Sequence, residues 1–436
     1  MIVPHLAPLP TSPGIATLDE TYREHYNPPQ LKECPHPRCP EEMSMKDLFE
    51  KCFNYTDARD LQASGFYPYF LPLEDTEGTE VTISGHRLLM LGSNNYLGLT
   101  THPAVRQAAI DAVQRFGTSC TGSRFLNGTL KLHHTLEERL AQFVGKPAAL
   151  VFSTGMQVNL GTISALVGKG DYVITDKDDH ASIVDGARLS MGAMLRFRHS
   201  DMADLERVLV KAGNAAKLVV VDGLYSMGGD IAPLPEIAGL CQKFGARLMV
   251  DDAHSLGVLG GGRGTAAHFG LDSEVDLIMG TFSKSFASLG GFIAGDADVI
   301  HYVQHHARAL IFSASIPAHC AAPVLAALDI IENEPERISH LWKITEQMRS
   351  GLLELGFNTG RSQSPVIPII IGPDDKTFFT WKALYDAGIY TNPVISPAVP
   401  AGMALLRTSY MATHTEEQID RALGVLGQVG RQMGLI

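Results

Sequence analysis

The sequence predicts an α/β fold: a large domain with a mostly parallel central sheet covered by helices, followed by a smaller C-terminal α/β domain. Helix-like stretches and short apolar strands alternate from residue 103 onward, an order typical of parallel sheets with helices on both faces. The alternation changes after about Ile316. A chain of 436 residues with 45% hydrophobic content is also longer than one ordinary domain, which favours two domains. We therefore expect an N-terminal arm and helix over 1–75, a large domain over 76–315 and a small domain over 316–436.

The individual elements follow from local composition in chain order. Residues 1–42 are Pro-rich and aperiodic, residues 43–63 have a helical pattern, and residues 80–90 have the pattern of two strands around a turn. The expected strands of the large sheet lie at 148–152, 172–175, 194–197, 217–221, 247–250 and 276–279. The expected helices lie at 103–116, 133–144, 156–167, 202–212, 234–244, 318–355 and 415–433, with strands of the small domain near 366–371 and 404–407.

Composition and charge exclude several classes of protein. The chain has 35 basic and 47 acidic residues, a formal net charge of −12, and no basic run, so nucleic-acid binding is not expected. No apolar stretch approaches the roughly 18 residues of a membrane-spanning helix, and the N-terminus lacks a signal-peptide pattern. Six scattered cysteines fit a reducing cytoplasm, the expected location. A zinc site at Cys34, His36, Cys39 and Cys52 is an alternative to free thiols, but no second Cys/His pair completes it.

Ligands of open parallel sheets bind at the carboxyl ends of the strands, and polar residues follow several of these ends. Gly155 and Met156 open a helix after the first large-sheet strand, where backbone amides favour an anion. His180 follows the second strand and could stack on an aromatic ligand. Ser226 lies in a glycine-rich turn after the expected strand at 217–221 and could donate a hydrogen bond to a ligand. Each of these features alone is also compatible with an ordinary turn or a loop histidine.

Two further strand ends point to pyridoxal 5′-phosphate (PLP). Asp251 and its neighbour Asp252 end a buried strand, where carboxylates need a partner, and a protonated pyridinium nitrogen would supply one to Asp251. His254 could then reach the phenolic oxygen of the same ring. Lys284 follows an apolar strand among small hydroxyl residues, and a Schiff base explains a lysine in that position. A metal ion is the alternative, but no further ligand set with metal spacing follows.

Seven ordered motifs make the chain resemble a known family. In chain order they are SNNYLGL (93–99), SRFLNGT (123–129), STG (153–155), DHAS (179–182), DGLYSMGGD (222–230), VDDAHSLG (250–257) and GTFSKS (280–285). Together they are similar to the α-oxoamine synthases, which are fold-type I PLP-dependent transferases. The resemblance covers about residues 45–430.

The resemblance implies roles around the cofactor ring. Lys284 would hold PLP and then act as the base at the amino-acid α-carbon, while Asp251 pairs with the pyridine nitrogen. His180 would stack on the ring, and His254 and Ser226 would reach the ring oxygen. Lys284, His180, Asp251 and His254 are the catalytic residues that this resemblance implies.

The resemblance also implies how the phosphate is held and how subunits pair. The backbone amides of Gly155 and Met156, together with Thr281 and Ser283, would surround the phosphate. Ser313 resembles the position that reaches the phosphate of the neighbouring subunit. The implied assembly is therefore a homodimer with a shared active site.

For the substrate, the resemblance implies that Arg407 binds the amino-acid carboxylate and that Asn95 lies in an entry segment touching the amino acid. Two positions depart from the family pattern, because some bacterial members carry a tyrosine where this chain has Asn94 and an arginine where it has Ile395. A guanidinium suits bidentate binding of a carboxylate, which leaves Arg407 as the expected clamp.

Within the family, the similarity is greatest to the branch that condenses L-serine with a long-chain acyl-CoA. The implied product is 3-ketodihydrosphingosine, formed with loss of CO₂ in the first step of sphingolipid synthesis. Acyl length and the choice between CoA and a carrier protein stay open, as does peripheral membrane contact. The alternatives are a glycine C-acetyltransferase, an 8-amino-7-oxononanoate synthase, or a non-catalytic partner subunit, which would be expected to lack Lys284.

Overall fold

The computed structural model describes residues 47–436, so the Pro-rich arm and three of the proposed zinc ligands lie outside the described residues. Two compact units are distinguished, with their boundary after Ala58. Within the predicted helix at 43–63, the described residues form two short helices, α1 (Glu50–Phe53) and α2 (Asp57–Ser64). Cys52, the fourth proposed zinc ligand, is an exposed free thiol in α1.

The strands occupy most of the positions that the apolar pattern predicts. In chain order they are β1 (Asp75–Glu77), β2 (Glu80–Ile83), β3 (His86–Met90), β4 (Ala148–Phe152), β5 (Tyr172–Asp176), β6 (Ala193–Phe197), β7 (Lys217–Asp222), β8 (Arg247–Asp251), β9 (Leu277–Thr281), β10 (Gly291–Gly295), β11 (Val366–Gly372), β12 (Ile389–Tyr390), β13 (Asn392–Val394) and β14 (Ala404–Ser409). The expected segments correspond to β4 to β9, so the sequence predicted six of the seven strands of the large sheet.

The helices alternate with these strands. After α2 they are α3 (Pro103–Phe116), α4 (Lys131–Phe143), α5 (Gly155–Leu166), α6 (Ala181–Leu189), α7 (Met202–Ala212), α8 (Leu234–Phe244), α9 (Thr265–Phe269), α10 (Ala297–His306), α11 (Arg308–Ile311), α12 (Ala318–Asn333), α13 (Pro335–Leu355), α14 (Asp374–Asp386) and α15 (Glu416–Gln432). The helical region expected at 318–355 is two helices, because Glu334 ends α12 and Pro335, which cannot continue a helix, begins α13. Buried side chains cover both faces of the large sheet, which explains why its strands are continuous apolar runs.

The large sheet has seven strands in the order β4-β10-β9-β8-β7-β5-β6. Neighbours from β9 to β6 are parallel, whereas β10 is antiparallel to both β4 and β9. The sequence did not predict β10, because its segment begins and ends with glycine, which weakens a strand pattern. The mostly parallel α/β fold expected from the sequence is confirmed.

Two smaller sheets complete the fold. The antiparallel sheet β11-β14-β13 carries Arg407 on its central strand, and the sheet β1-β2-β3-β12 joins residues 75–90 to 389–390. Helix α12 contributes to the core of the large sheet through residues such as Ala321 and Leu328. The division into domains over 76–315 and 316–436 stays a prediction.

A buried ion cluster ties the edge of the large sheet to the loop that follows β7. His199 Nδ1 lies 3.0 Å from Asp176 Oδ1 at the end of β5, and its Nε2 lies 2.8 Å from Asp230 Oδ2. Burial by itself lowers the pKa of His199, but the hydrogen bonds and charges of Asp176 and Asp230 outweigh it and raise the pKa to about 10. His199 is therefore an imidazolium at neutral pH and bridges two carboxylates.

We predict that His199→Gln destabilises the protein by about 2 kcal/mol near pH 6.5, because both charge-assisted hydrogen bonds are weakened. The folded pKa of about 10 lies above the unfolded value of 6.5, so the contribution is complete below pH 6.5. It declines as pH rises toward 10, since the folded protein alone holds that proton. Thermal unfolding midpoints from pH 6 to 9 should therefore converge between variant and parent. The same substitution at the exposed His268 is the control, and a difference that grows with pH would contradict the assignment.

Candidate active site

A pocket of about 280 Å³ opens at the carboxyl ends of the parallel strands. It lies where the sheet geometry predicts a ligand, because these strand ends and the following loops converge at one edge. Eight residues predicted from the sequence line this pocket: Gly155, Met156, His180, Asp251, His254, Thr281, Ser283 and Lys284. Their separation along the chain means that only the fold brings them together.

Lys284 lies in a turn that two buried aromatic side chains anchor. Phe282 and Phe286 flank it, both are fully buried, and their rings meet edge to face with centroids 5.8 Å apart. The backbone N–H of Ala287 donates to the Lys284 carbonyl at 3.0 Å and closes the turn. The lysine therefore extends from a rigid segment directly after β9.

The surroundings of Lys284 favour a neutral amine more than water does. Its side chain retains some accessible surface, but protein surrounds it closely enough that desolvation lowers the pKa to about 8. The charges of Asp251 and Asp222 oppose this shift, and the charge of Arg407 adds to it. About a tenth of the amine is therefore unprotonated at pH 7, far more than for a lysine with the ordinary pKa, and the neutral amine is the nucleophile toward a carbonyl.

Asp251 is buried with two donors on its carboxylate. The side-chain amide of Asn159 donates to Oδ2 at 2.7 Å, and the backbone N–H of Ala253 donates to Oδ1 at 3.0 Å. These bonds stabilise the anion, and the residue still lines the pocket. Asp251 is thus placed to accept a hydrogen bond from a ligand cation.

The adjacent Asp252 faces a different set of partners. The backbone N–H and hydroxyl of Thr265 donate to its carboxylate, the hydroxyl at 2.6 Å to Oδ1. Burial raises the pKa of Asp252 to about 6 although these hydrogen bonds lower it. Of these two neighbouring aspartates, Asp251 lines the pocket and Asp252 binds the loop at Thr265.

Among residues 47–436, no group of three or more His, Cys, Asp or Glu side chains is arranged to hold a metal ion.

The two histidines of the pocket are held through their Nδ1 atoms. His180 caps the N-terminus of α6, and its Nδ1 lies 2.7 Å from the hydroxyl of Ser182. His254 Nδ1 lies 2.7 Å from the hydroxyl of the buried Tyr96. Burial, followed by the positive charges of Lys284 and Arg407, lowers the pKa of His254 well below its usual value. His254 is therefore neutral at physiological pH.

One end of the pocket has the donors that a phosphate needs. Gly155 and Met156 occupy the first turn of α5, whose amide N–H groups have no acceptor within the helix. The hydroxyls of Thr281 and Ser283 lie 3.0 Å apart beside it. A Cβ on Gly155 would lie 2.7 Å from Thr281 Oγ1, so only glycine allows this close approach of helix and strand.

Ser313 lies on the outer side of the same helix. The side-chain amide of Gln157 donates to its hydroxyl at 2.8 Å, and the neighbouring Phe312 is exposed. This contact is within one chain, so the expected reach of Ser313 to the phosphate of a neighbouring subunit stays a prediction.

Arg407 is buried near Lys284 and His254, and the protein holds its guanidinium on two sides. Nε donates to the Ser226 carbonyl at 2.6 Å, and one terminal nitrogen donates to Asn94 Oδ1 at 2.8 Å. Asn94, a departure from the family pattern, is thus a direct partner of the expected carboxylate clamp. Ser226 contacts Arg407 through its backbone, and the expected bond of its hydroxyl to the ring oxygen stays a prediction.

Asn95 lies in the same entry segment but points toward its own loop. Its side-chain amide donates to the hydroxyl of Thr100 at 2.8 Å. Its Oδ1 is buried and, among the described residues, has no hydrogen-bond partner. The expected contact between Asn95 and an amino-acid substrate stays a prediction.

Sequence reasoning missed four residues of this site: Tyr96, Asn159, Ser182 and Asp222. Tyr96 and Ser182 stand inside motifs that were recognised, but nothing in the motifs indicates their partners. Asp222 repeats a visible pattern, because β5, β7 and β8 all end in aspartate. Asn159 is one of several polar residues in its helix, and nothing in the sequence distinguishes it from Gln157, Thr162 or Ser164.

The donor set of the pocket fits PLP. A buried amine with a lowered pKa can hold an aldehyde, and an anionic carboxylate can hold a protonated ring nitrogen. The helix N-terminus and the two hydroxyls suit a phosphate. Lys284, Asp251 and the Gly155–Met156 turn would therefore hold the three ends of this cofactor.

Comparisons with known proteins agree with this chemistry. A family model described as aminotransferase class I and II matches residues 86–426. A serine palmitoyltransferase of Sphingobacterium spiritivorum is 52% identical over 392 residues, which cover 89% of this chain and 98% of that protein. An 8-amino-7-oxononanoate synthase of Symbiobacterium thermophilum is 43% identical over 379 residues, covering 86% of this chain and 97% of that protein.

Solved structures give the same result. A serine palmitoyltransferase of Sphingomonas wittichii has a TM-score of 0.87 and 39% identity, and the match covers 90% of this chain and all of that chain. The enzyme of S. paucimobilis, solved with a bound PLP–myriocin aldimine, has a TM-score of 0.86 and 38% identity with the same coverage. The chain therefore belongs to the aminotransferase class I and II family and, within it, to the α-oxoamine synthases, which makes PLP its cofactor.

Proposed function

We propose that this protein is a serine C-palmitoyltransferase, a PLP-dependent acyltransferase of class EC 2.3.1.50. It condenses L-serine with palmitoyl-CoA or another long-chain acyl-CoA to 3-ketodihydrosphingosine, and it releases CoA and CO₂. The observation that carries the proposal is that Lys284 and Asp251 line one pocket while the charge of the buried Arg407 acts on Lys284, in a chain about half identical to serine palmitoyltransferases.

The reaction needs a proton to leave the α-carbon of the amino acid, and PLP when bound supplies the electron sink for this step. Lys284 takes that proton, since its lowered pKa gives a free amine in the working pH range. Asp251 stays anionic because two donors hold its carboxylate, and it keeps the ring nitrogen protonated. His254 is neutral, and with the Tyr96 hydroxyl donating to its Nδ1 it carries its proton on Nε2 and can donate a hydrogen bond there.

Arg407 orients the amino acid. Its guanidinium is held by Ser226, Asn94 and the hydroxyl of Ser409, and its two remaining N–H groups bind the serine carboxylate in a fork. A fixed carboxylate sets which bond of the α-carbon lies next to Lys284. The same carboxylate leaves later as CO₂. Arg407 must therefore bind it without preventing its departure.

We propose further that the protein is a homodimer with a shared active site. Three large apolar side chains are exposed on two segments of the chain: Phe125 (59% exposed), Leu126 (78%) and Phe312 (74%). Their loops are joined, because the backbone N–H of Ser315 donates to the Gly122 carbonyl at 2.9 Å. A patch of this kind needs cover, and a second copy would also bring its Ser313 to the site.

A cytoplasmic location and peripheral membrane contact complete the proposal. No helix within residues 47–436 is long and apolar enough to cross a membrane. The few cysteines of the chain fit a reducing compartment. The lipid product is the reason to expect contact with a membrane surface.

The decisive experiment is a matrix of L-serine, glycine and L-alanine against palmitoyl-CoA, acetyl-CoA and pimeloyl-CoA, with products measured by mass spectrometry. We expect 3-ketodihydrosphingosine from serine and palmitoyl-CoA, and at least a thousandfold loss in Lys284→Ala because the base is removed. The exposed Lys169→Ala is the control. A preference for glycine with acetyl-CoA, or for alanine with pimeloyl-CoA, would assign the protein to another α-oxoamine synthase.

Arg407→Lys should raise the KM for serine about tenfold to a hundredfold, because lysine keeps the charge but loses the planar fork. The KM for palmitoyl-CoA should change little, since the thioester has no carboxylate for this group to bind. Arg188→Lys, on the surface, is the matched control. Equal effects on both KM values would count against a carboxylate clamp.

Capture of PLP by the apo protein should accelerate with pH and level off above about pH 8. Only the neutral Lys284 amine attacks an aldehyde, and its pKa is about 8. The appearance of visible absorbance after mixing measures the rate. With N-acetyl-lysine methylamide, whose amine has the ordinary pKa of about 10.4, the rate should continue to rise past pH 9. A protein profile that follows this model compound would contradict the lowered pKa.

A further inference from the structure

We infer that Asn159 is a positioning residue for the cofactor ring: one side-chain amide orients the carboxylate of Asp251 and, through Ser182, fixes the protonation of His180. The inference rests on the proposed function only for the presence of PLP. It assigns a role to a residue that no motif singles out.

The first observation is the position of the Asn159 side chain. It is fully buried in α5, and its Nδ2 lies 2.7 Å from Asp251 Oδ2 and 2.8 Å from Ser182 Oγ. A side-chain amide nitrogen has two N–H groups, and both are used here. The opposite orientation would turn the carbonyl oxygen of Asn159 toward the carboxylate, which is repulsive, so the donor direction is fixed.

The second observation is the other end of the same amide. Asn159 Oδ1 is buried and has no hydrogen-bond partner among the described residues. An unsatisfied buried acceptor is costly, so this amide would be a poor choice if it only filled space. Its two donors at Asp251 and Ser182 are the contacts that offset this cost.

The contact with Ser182 sets the direction of a short hydrogen-bond chain. Because the Ser182 oxygen accepts from Asn159, its single O–H proton is free to donate to His180 Nδ1 at 2.7 Å. The backbone N–H of Ser182 also donates to this nitrogen at 3.3 Å. Nδ1 of His180 is therefore an acceptor without a proton, and the neutral ring carries its proton on Nε2.

This arrangement matters for a ring that lies against His180 and pairs with Asp251. A protonated His180 would place a second positive charge beside the pyridinium and weaken the pairing with Asp251. Asp222 is a second acidic residue near Asp251. Burial, followed by the charges of Asp251 and Asp179, raises the pKa of Asp222. The Asn159 donor stabilises Asp251 as the anion among these neighbours. One residue thus keeps the stacking group neutral and the pairing group charged.

The test compares Asn159→Leu, which removes both donors at similar volume, with Ser182→Ala, which removes only the link to His180. Two properties are measured on each protein: the Kd of PLP for the apo form and the pH midpoint of the visible absorption band of the loaded form. Asn333→Leu, at an exposed asparagine, is the control.

We expect Asn159→Leu to weaken PLP binding about tenfold to a hundredfold and to shift the pH midpoint by about one unit. Ser182→Ala should shift the midpoint while leaving the Kd within about threefold, because the bond from Asn159 to Asp251 remains. If Asn159→Leu does not fold, Asn159→Ala, which also removes both donors, is measured in its place with the same expectations.

An unchanged pH midpoint in Asn159→Leu, even with a lower thermal unfolding midpoint, would show a packing role and overturn the inference. Equal loss of PLP affinity in Ser182→Ala would also overturn it, since the two arms would not be separable. Both measurements are made without an amino-acid substrate or an acyl donor. They therefore stand whichever amino acid the substrate matrix identifies, so failure here is distinct from failure of the proposed function.

Discussion

The site depends on the burial of aspartates at the ends of neighbouring parallel strands. Asp176, Asp222 and Asp251 each end a strand and are each buried, which is unfavourable for like charges unless each finds a different partner. Asp176 is bound by the His199 imidazolium, and Asp222 accepts a backbone N–H and has a raised pKa. Asp251 accepts hydrogen bonds from two neutral donors, the Asn159 amide and the Ala253 backbone N–H, and it also lines the pocket.

Burial also sets the protonation of the basic residues of the site, and it affects each of them differently. Arg407 stays charged because a guanidinium does not lose its proton in a protein, and its field lowers the pKa of both Lys284 and His254. The charge of Asp251 opposes the lowering of the Lys284 pKa, which therefore stays at about 8. His254 has no such carboxylate to offset desolvation and is neutral, with Tyr96 fixing its Nδ1. The site therefore combines a permanently charged Arg407, a Lys284 amine that titrates at about pH 8 and a neutral His254.

The sequence was informative where function requires a residue at a strand end. Lys284 and Asp251 could be recognised because a lysine or a carboxylate after a buried strand needs a ligand to explain it. Strand β10 could not be recognised, since Gly291 and Gly295 weaken its pattern and its place between β4 and β9 depends on long-range pairing. The partners Asn159 and Tyr96 could not be recognised either, because they lie 92 and 158 residues from Asp251 and His254. Their identity follows from distances that only the folded chain creates.

The pair of Asn94 and Arg407 shows how a departure from a family pattern is accommodated. The Asn94 oxygen and the Ser226 carbonyl accept from two different nitrogens of the guanidinium, so the plane of Arg407 is set before any substrate arrives. A guanidinium has five N–H donors, and a third contact joins the other terminal nitrogen of Arg407 to the Ser409 hydroxyl at 3.4 Å, so two donors are left for a carboxylate. Because Ile395 carries no charge, the proposed binding of the serine carboxylate rests on Arg407 as its one preformed anchor. Preorganisation of that kind reduces the ordering that substrate binding must supply. If Arg407 binds the carboxylate as proposed, the orientation of the amino acid depends on the loop that carries both Ser226 and Asp230, which His199 contacts.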